Sequence, residues 1–116
     1  MRDFRDLAVW QKAHQLVLDI YRATRGERSA VSCWPSGSSA ASVPANIAEG
    51  CGRDGERELA RFLSIAAGSA SETEYHLLLA LDLEYLPRAT HEDLHARINE
   101  VKKMLGAFHR KLTANG

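Results

Sequence analysis

From Leu7 to Arg25 apolar residues return at three- and four-residue steps, through Val9, Trp10, Ala13, Leu16, Val17, Ile20 and Tyr21, while Gln11, Lys12, Gln15, Asp19 and Arg22 fall mostly outside that stripe. This period is one face of an amphipathic helix and predicts a first helix over about residues 7–25. Asp6 is placed to cap it, because a carboxylate accepts a free first-turn N–H, and Gly26 is placed to end it in the left-handed conformation. Ser32-Cys33-Trp34-Pro35-Ser36-Gly37-Ser38-Ser39 is rich in turn formers and reads as a loop. From Ala40 the composition turns to Ala, Val, Ile and Asn, with Gly50 and Gly52 as stop signals, so a short second helix is expected over about residues 38–49. Pro44 falls inside it and is expected to kink or restart the helix, since it lacks a backbone donor and crowds the preceding turn.

After the turn Gly50-Cys51-Gly52-Arg53-Asp54-Gly55 comes the longest periodic run, predicting a central helix over about residues 56–83 with Leu59, Phe62, Leu63, Ala66, Ala70, Thr73, Leu77, Ala80 and Leu81 on one stripe. The small residues from Ala66 to Ser71, including Gly68, let a neighbouring helix come close. Leu77-Leu78-Leu79-Ala80-Leu81 is apolar nearly all round, which calls for cover on more than one side, as a subunit contact would give. Tyr85-Leu86-Pro87-Arg88-Ala89 breaks the pattern. Thr90 followed by Asp93 resembles a capping arrangement for a last helix over about residues 91–112, with Leu94, Ile98, Val101, Leu105, Phe108 and Leu112 as its stripe. Four such segments without a strand-like alternation predict an all-α fold, an antiparallel four-helix bundle in one domain spanning residues 1–116.

Charge then limits the partners. Fifteen basic and fifteen acidic residues balance, so no global field draws the chain to nucleic acid or anionic lipid, and any such binding needs a local patch. The basic residues Arg22, Arg25 and Arg28, and Lys102, Lys103, Arg110 and Lys111, cluster loosely on outer helix faces and are the candidates for phosphate contact. Cys33 and Cys51 form neither a CxxC pair nor a disulfide framework, which points to a reducing cytoplasm. No signal-like N-terminus and no apolar run near the roughly 20 residues of a membrane span is present, so a soluble, cytoplasmic protein is expected.

Two constellations invite chemistry. His91-Glu92-Asp93-Leu94-His95 matches HExxH, in which imidazoles one turn apart hold zinc and the Glu serves as general base. Ile98 and Val101 stand where the extended pattern requires Gly and His, so the motif reads as a solvated helix start rather than a zinc peptidase. Asn46, Glu49, Glu58, Glu72 and His76 are the other group; no Glu-x-x-His pair occurs among them, because Thr73 stands three residues before His76, and a di-metal bundle site is not expected. Asn46, Glu49 and Glu72 are expected instead to satisfy backbone groups around Pro44 and the glycine turn, or to join subunits. No phosphate loop or nucleophile elbow is present, and the chain is expected to be no enzyme and to hold no metal or cofactor.

Phe4-Arg5-Asp6-Leu7, Val9-Trp10-Gln11-Lys12-Ala13, the block Ser42-Val43-Pro44-Ala45-Asn46-Ile47-Ala48-Glu49-Gly50 with Gly52-Arg53, then Glu58, Phe62-Leu63-Ser64-Ile65-Ala66, Gly68-Ser69 and Glu72 together carry a resemblance. The chain resembles the small four-helix bundle proteins found in intervening sequences of bacterial 23S ribosomal RNA genes. The resemblance implies a ring-shaped homopentamer without known catalytic activity; from the residues themselves, Pro44, Asn46, Glu49, Gly50, Gly52, Arg53 and Glu72 read as a structural polar and turn motif, the kinked helix end and turn on which the bundle is organised. Accessory proteins of diversity-generating retroelements look similar and bind a reverse transcriptase and nucleic acid through a basic pentamer, so the resemblance also implies contact with RNA or DNA. One stretch departs from the family. Pro35-Ser36-Gly37-Ser38 stands where family members usually carry a Gln and an Arg-Arg pair, which removes positive charge and helix formers there and predicts a disordered or distorted start to the second helix. Two functions remain in view: a non-enzymatic oligomer that contacts RNA or DNA, and a scaffold that engages another protein without nucleic acid.

Overall fold

The computed structural model describes residues 2–25 and 35–114. Among them stand a 3-10 turn, Phe4–Asp6, and four helices, α1 (Ala8–Arg25), α2 (Pro35–Gly52), α3 (Glu56–Asp82) and α4 (Arg88–Thr113), with no strand. The stripes read from the sequence turn inward together. Val9, Ala13, Leu16, Val17 and Ile20 of α1 meet Ala40, Val43, Ile47 and Cys51 of α2, Leu59, Leu63, Ala66, Ala70, Leu77 and Ala80 of α3, and Leu94, Ile98, Val101 and Leu105 of α4 in one cluster. Each fully buried Leu or Ile in it contributes about 1.5–3 kcal/mol relative to an exposed one. α2 packs on α1 and α3, and α4 packs on α3 and α1, closing an all-α single domain of 46 × 21 × 19 Å.

The helix ends depart from expectation for local physical reasons. At the start of α1 the Asp3 carboxylate, not that of Asp6, accepts a first-turn N–H, from Arg5 at 3.0 Å in the 3-10 turn, and α1 begins only at Ala8. The Gly26 cap, Arg28 and Cys33 lie outside the described residues. Helix α2 opens at Pro35, within the expected loop. Proline suits a first helical position because its missing N–H is one of the donors that has no intrahelical partner there. It then runs unbroken through Pro44, and the expected restart does not occur. Asn46 braces this turn, its amide donating to the Ser42 carbonyl at 2.8 Å and to the Ser42 hydroxyl at 3.0 Å.

Gly50 does not stop α2 but lets it touch α3: a Cβ there would stand 2.8 Å from the Phe62 Cβ and 3.0 Å from a Leu59 methyl. The chain turns only after Gly52, with Gly55 at φ +88° leading into α3. In α3 the close approach is made by the buried Ala66 and Ala70, whereas Gly68 faces open space with nothing near it. At the far end Glu84, at φ +63°, ends the helix in the left-handed conformation; the N–H of Tyr85 reaches the Ala80 carbonyl at 2.8 Å and that of Glu84 the Leu81 carbonyl at 2.9 Å. Helix α4 starts at Arg88, one turn ahead of the expected Thr90–Asp93 cap, with Pro87 at the cap position and no side-chain cap bond; Asp93 pairs with Arg97 instead. No helix is long and apolar enough to cross a membrane among the described residues.

Candidate functional site

Small polar side chains on the inner faces of α2 and α3 build a seam between these helices. The Ser42 hydroxyl lies 2.9 Å from that of Ser69, and Asn46 donates to it from the next turn. One turn toward the other end, the fully buried Thr73 hydroxyl sits 2.8 Å from the Ser69 carbonyl and 3.2 Å from the Ser39 hydroxyl, which in turn lies 3.0 Å from His76 Nδ1. Thr73 is the donor toward both oxygens, and its single proton is shared between the Ser69 carbonyl and the Ser39 hydroxyl. Of the expected polar motif only Asn46 joins the seam. Glu49 points to solvent and pairs with Arg53 at 2.8 Å, and Glu72 is exposed. Glu58 pairs with Arg61 at 2.9 Å, a bond that holds its carboxyl below the ordinary range.

A second polar cluster joins α3 to α4. Glu74 accepts from Lys102 at 2.9 Å and faces His95 Nε2 at 3.0 Å. The Lys102 bond, aided by His95, keeps the Glu74 carboxyl below its usual range against the opposing effect of burial. A carboxylate only accepts, so Nε2 of His95 carries the hydrogen. The His91 ring stacks on the His95 ring at 5.6 Å. The HExxH residues are therefore tied into a contact between helices, and among the described residues no group of three or more His, Cys, Asp or Glu side chains is arranged to hold a metal ion. Nothing local marks Glu74 as a partner of His95 and Lys102, since they stand 21 and 28 positions away on another helix.

The basic candidates do not gather. Arg22 lies 3.3 Å from Asp19, which Arg97 of α4 also holds at 2.8 Å. Lys102 is spent on Glu74. The Arg25 side chain lies outside what is described. Lys103, Arg110 and Lys111 are the members without an ion pair among the described residues, and Lys111 borders a depression with Arg2, Leu7, Ala8, Met104 and Phe108. From Arg97 to Lys111 is about 21 Å along α4, so the Arg22 end and the Lys111 end are well apart.

Of the exposed large apolar side chains, Tyr75 (58%), Leu78 (46%) and Ile65 (41%) lie on α3 and Leu83 (47%) just past its end, while Tyr21 of α1, expected on the inner stripe, is 43% exposed because it stands at the stripe's outer edge. Leu77 and Ala80, read as part of the same all-round apolar stretch, are buried, so only part of that stretch lacks cover.

Compared with protein families, the chain matches the model of the 23S rRNA-intervening sequence proteins over residues 5–107, from the 3-10 turn well into α4. The chain belongs to the 23S rRNA-intervening sequence protein family. No curated protein matches it. In this member of the family, the block from Ser42 to Arg53 is the C-terminal part of α2 and the turn after it, packed on α3 through Gly50 and the Ser42–Ser69 contact that Asn46 supports from within α2.

Proposed function

We propose that this 23S rRNA-intervening sequence protein is a non-enzymatic, self-associating bundle of antiparallel helices that works in the cytoplasm as an interaction scaffold, with the five-fold ring that its family resemblance implies. The observation that carries the reading is the outer side of α3, where Tyr75 and Leu78, one turn apart, are 58% and 46% exposed, with Ile65 nearer its start at 41% and Leu83 just past its end at 47%. Large apolar side chains grouped on one face of a small domain mark a contact surface, whereas single ones need no explanation. The pairing of residues 39, 42 and 50 of α2 with 76, 69 and 62 of α3, in reverse order, supports opposed helix directions. The commitment of His95 to Glu74 supports a structural role for the HExxH stretch.

The test is the mass of the assembly in native mass spectrometry and light scattering. The proposal expects one closed oligomer of five copies, reduced to smaller species by Tyr75→Glu combined with Leu78→Glu. A monomer at all concentrations overturns it. Contact with RNA or DNA is the second reading, favoured by Lys103, Arg110 and Lys111, which make no ion pair among the described residues. Binding at low salt that weakens as salt rises, and that Lys111→Ala with Arg110→Ala reduces, would support it.

A further inference from the structure

The first turn of α4 is held weakly by everything except one ring. It has no side-chain cap, Arg88 and Ala89 are exposed, and no residue from Arg88 to His91 is buried, the nearest buried apolar anchors being Leu86 before it and Leu94 after it. His91 is the inward member of this turn. Its Nε2 is cut off from solvent and meets no hydrogen-bond partner. Its ring lies against that of His95, 5.6 Å away and inclined by 21°, and His95 is bound to the Glu74 carboxylate of α3.

This arrangement accepts a neutral His91 and resists a charged one. In the imidazolium both ring nitrogens carry hydrogens, so the sealed Nε2 would hold a charged donor with nothing to accept it. Burial disfavours the His91 cation, and His95 adds to this; Glu92 acts in the opposite direction, Arg88 again disfavours the cation, and Asp82 of α3 favours it. The position near the helix N-terminus also disfavours positive charge. The groups facing His95 differ, since Glu74 offers it a carboxylate and Lys102 shares that carboxylate. On the α1 side Asp19 is occupied by Arg97 and lies on the Arg97 turn of α4. His91 thus gains a proton only by leaving this place, where its sealed nitrogen has no acceptor.

We propose that His91 is an acid-operated latch: on acidification its ring leaves its place beside His95 and the first turn of α4, Arg88 to His91, opens, the opening ending at the buried Leu94. A protonated, solvated His91 no longer packs on His95, so the start of α4 next to Leu86 becomes accessible at low pH and closed at neutral pH.

Amide hydrogen exchange read by NMR on the full chain tests this. The N–H groups of residues 91–95 bond carbonyls of residues 87–91, so their protection reports the opening. After correction for intrinsic exchange, their protection falls by up to about tenfold per pH unit between about pH 7.5 and about pH 5.5, the slope for uptake of one proton, while the amides from Val101 onward keep theirs. His91→Phe, which keeps a ring without a titrating nitrogen, abolishes the loss, and His91→Asn serves if the Phe variant does not fold. Unchanged protection across that range overturns the latch, as does a loss of the same size in both variants.

Discussion

Gly50 of α2 and Phe62 of α3 stand so close that a methyl group on residue 50 would lie 2.8 Å from the Phe62 Cβ, nearer than side-chain carbons pack. The contact is with the base of the Phe side chain, which cannot move without its helix. Gly50→Ala should therefore destabilise the domain by about 1–3 kcal/mol through overpacking, although Ala is the better helix former. Chemical denaturation checks it, and a gain in stability would show that the helices can separate at no cost.

Thr73 is fully buried, and its hydroxyl meets Ser69 and Ser39. Thr73→Val keeps the shape and removes the hydrogen bonds, leaving the Ser39 side of the seam to rearrange. A loss of roughly 1–2 kcal/mol is expected in thermal or urea unfolding.

Glu84 occupies the left-handed region at φ +63°, a conformation that costs a side-chain-bearing residue roughly 1–2 kcal/mol. Its side chain is exposed, so little is lost with it. Glu84→Gly should raise stability by about 1 kcal/mol, visible as a higher melting temperature.

Asp19 and Glu74 tie α4 to α1 and α3, and both carboxyls are held below their ordinary values, chiefly by bonds to Arg97 and Lys102. A lowered carboxylate contributes stability that is present above its unfolded value, near 3.8 for Asp and 4.5 for Glu, and is lost as the pH falls through the folded value. Unfolding free energy should thus drop below about pH 4.5, and Arg97→Ala should shallow that drop while costing roughly 1 kcal/mol at neutral pH. The histidine-linked opening of α4 occupies a separate window, above the carboxylates, because a lowered histidine loses stability as the pH falls below its unfolded value of about 6.5.

The helices are legible because burial repeats with the helical period: Val9 to Ile20, Leu59 to Ala80 and Leu94 to Leu105 supply the core as their spacing predicts, while Tyr21, at the edge of the first stripe, is 43% exposed. The ends are less so. Pro35, Pro44, Gly50 and Gly52 are strong local signals whose meaning depends on place. A proline at the first helical position costs nothing, and a glycine against Phe62 serves packing rather than termination. The polar residues divide in the same way. Asn46 acts on its own preceding turn and was read as a backbone partner, whereas Glu49 and Glu72, chosen with it, stand in solvent.

Periodicity and composition alone settle the number of helices, the faces they bury and the absence of a global charge, since each is a property of near neighbours or of the whole count. Which polar groups meet is another matter. Ser42 and Ser69, Glu74 and Lys102, and Asp19 and Arg97 are brought together from 27, 28 and 78 positions apart by helix packing, which no local pattern encodes. Packing likewise turns an HExxH match into one histidine bound to Glu74 of α3 and another stacked on it with a nitrogen sealed from solvent, because burial and partnership belong to the assembled helices rather than to any one of them.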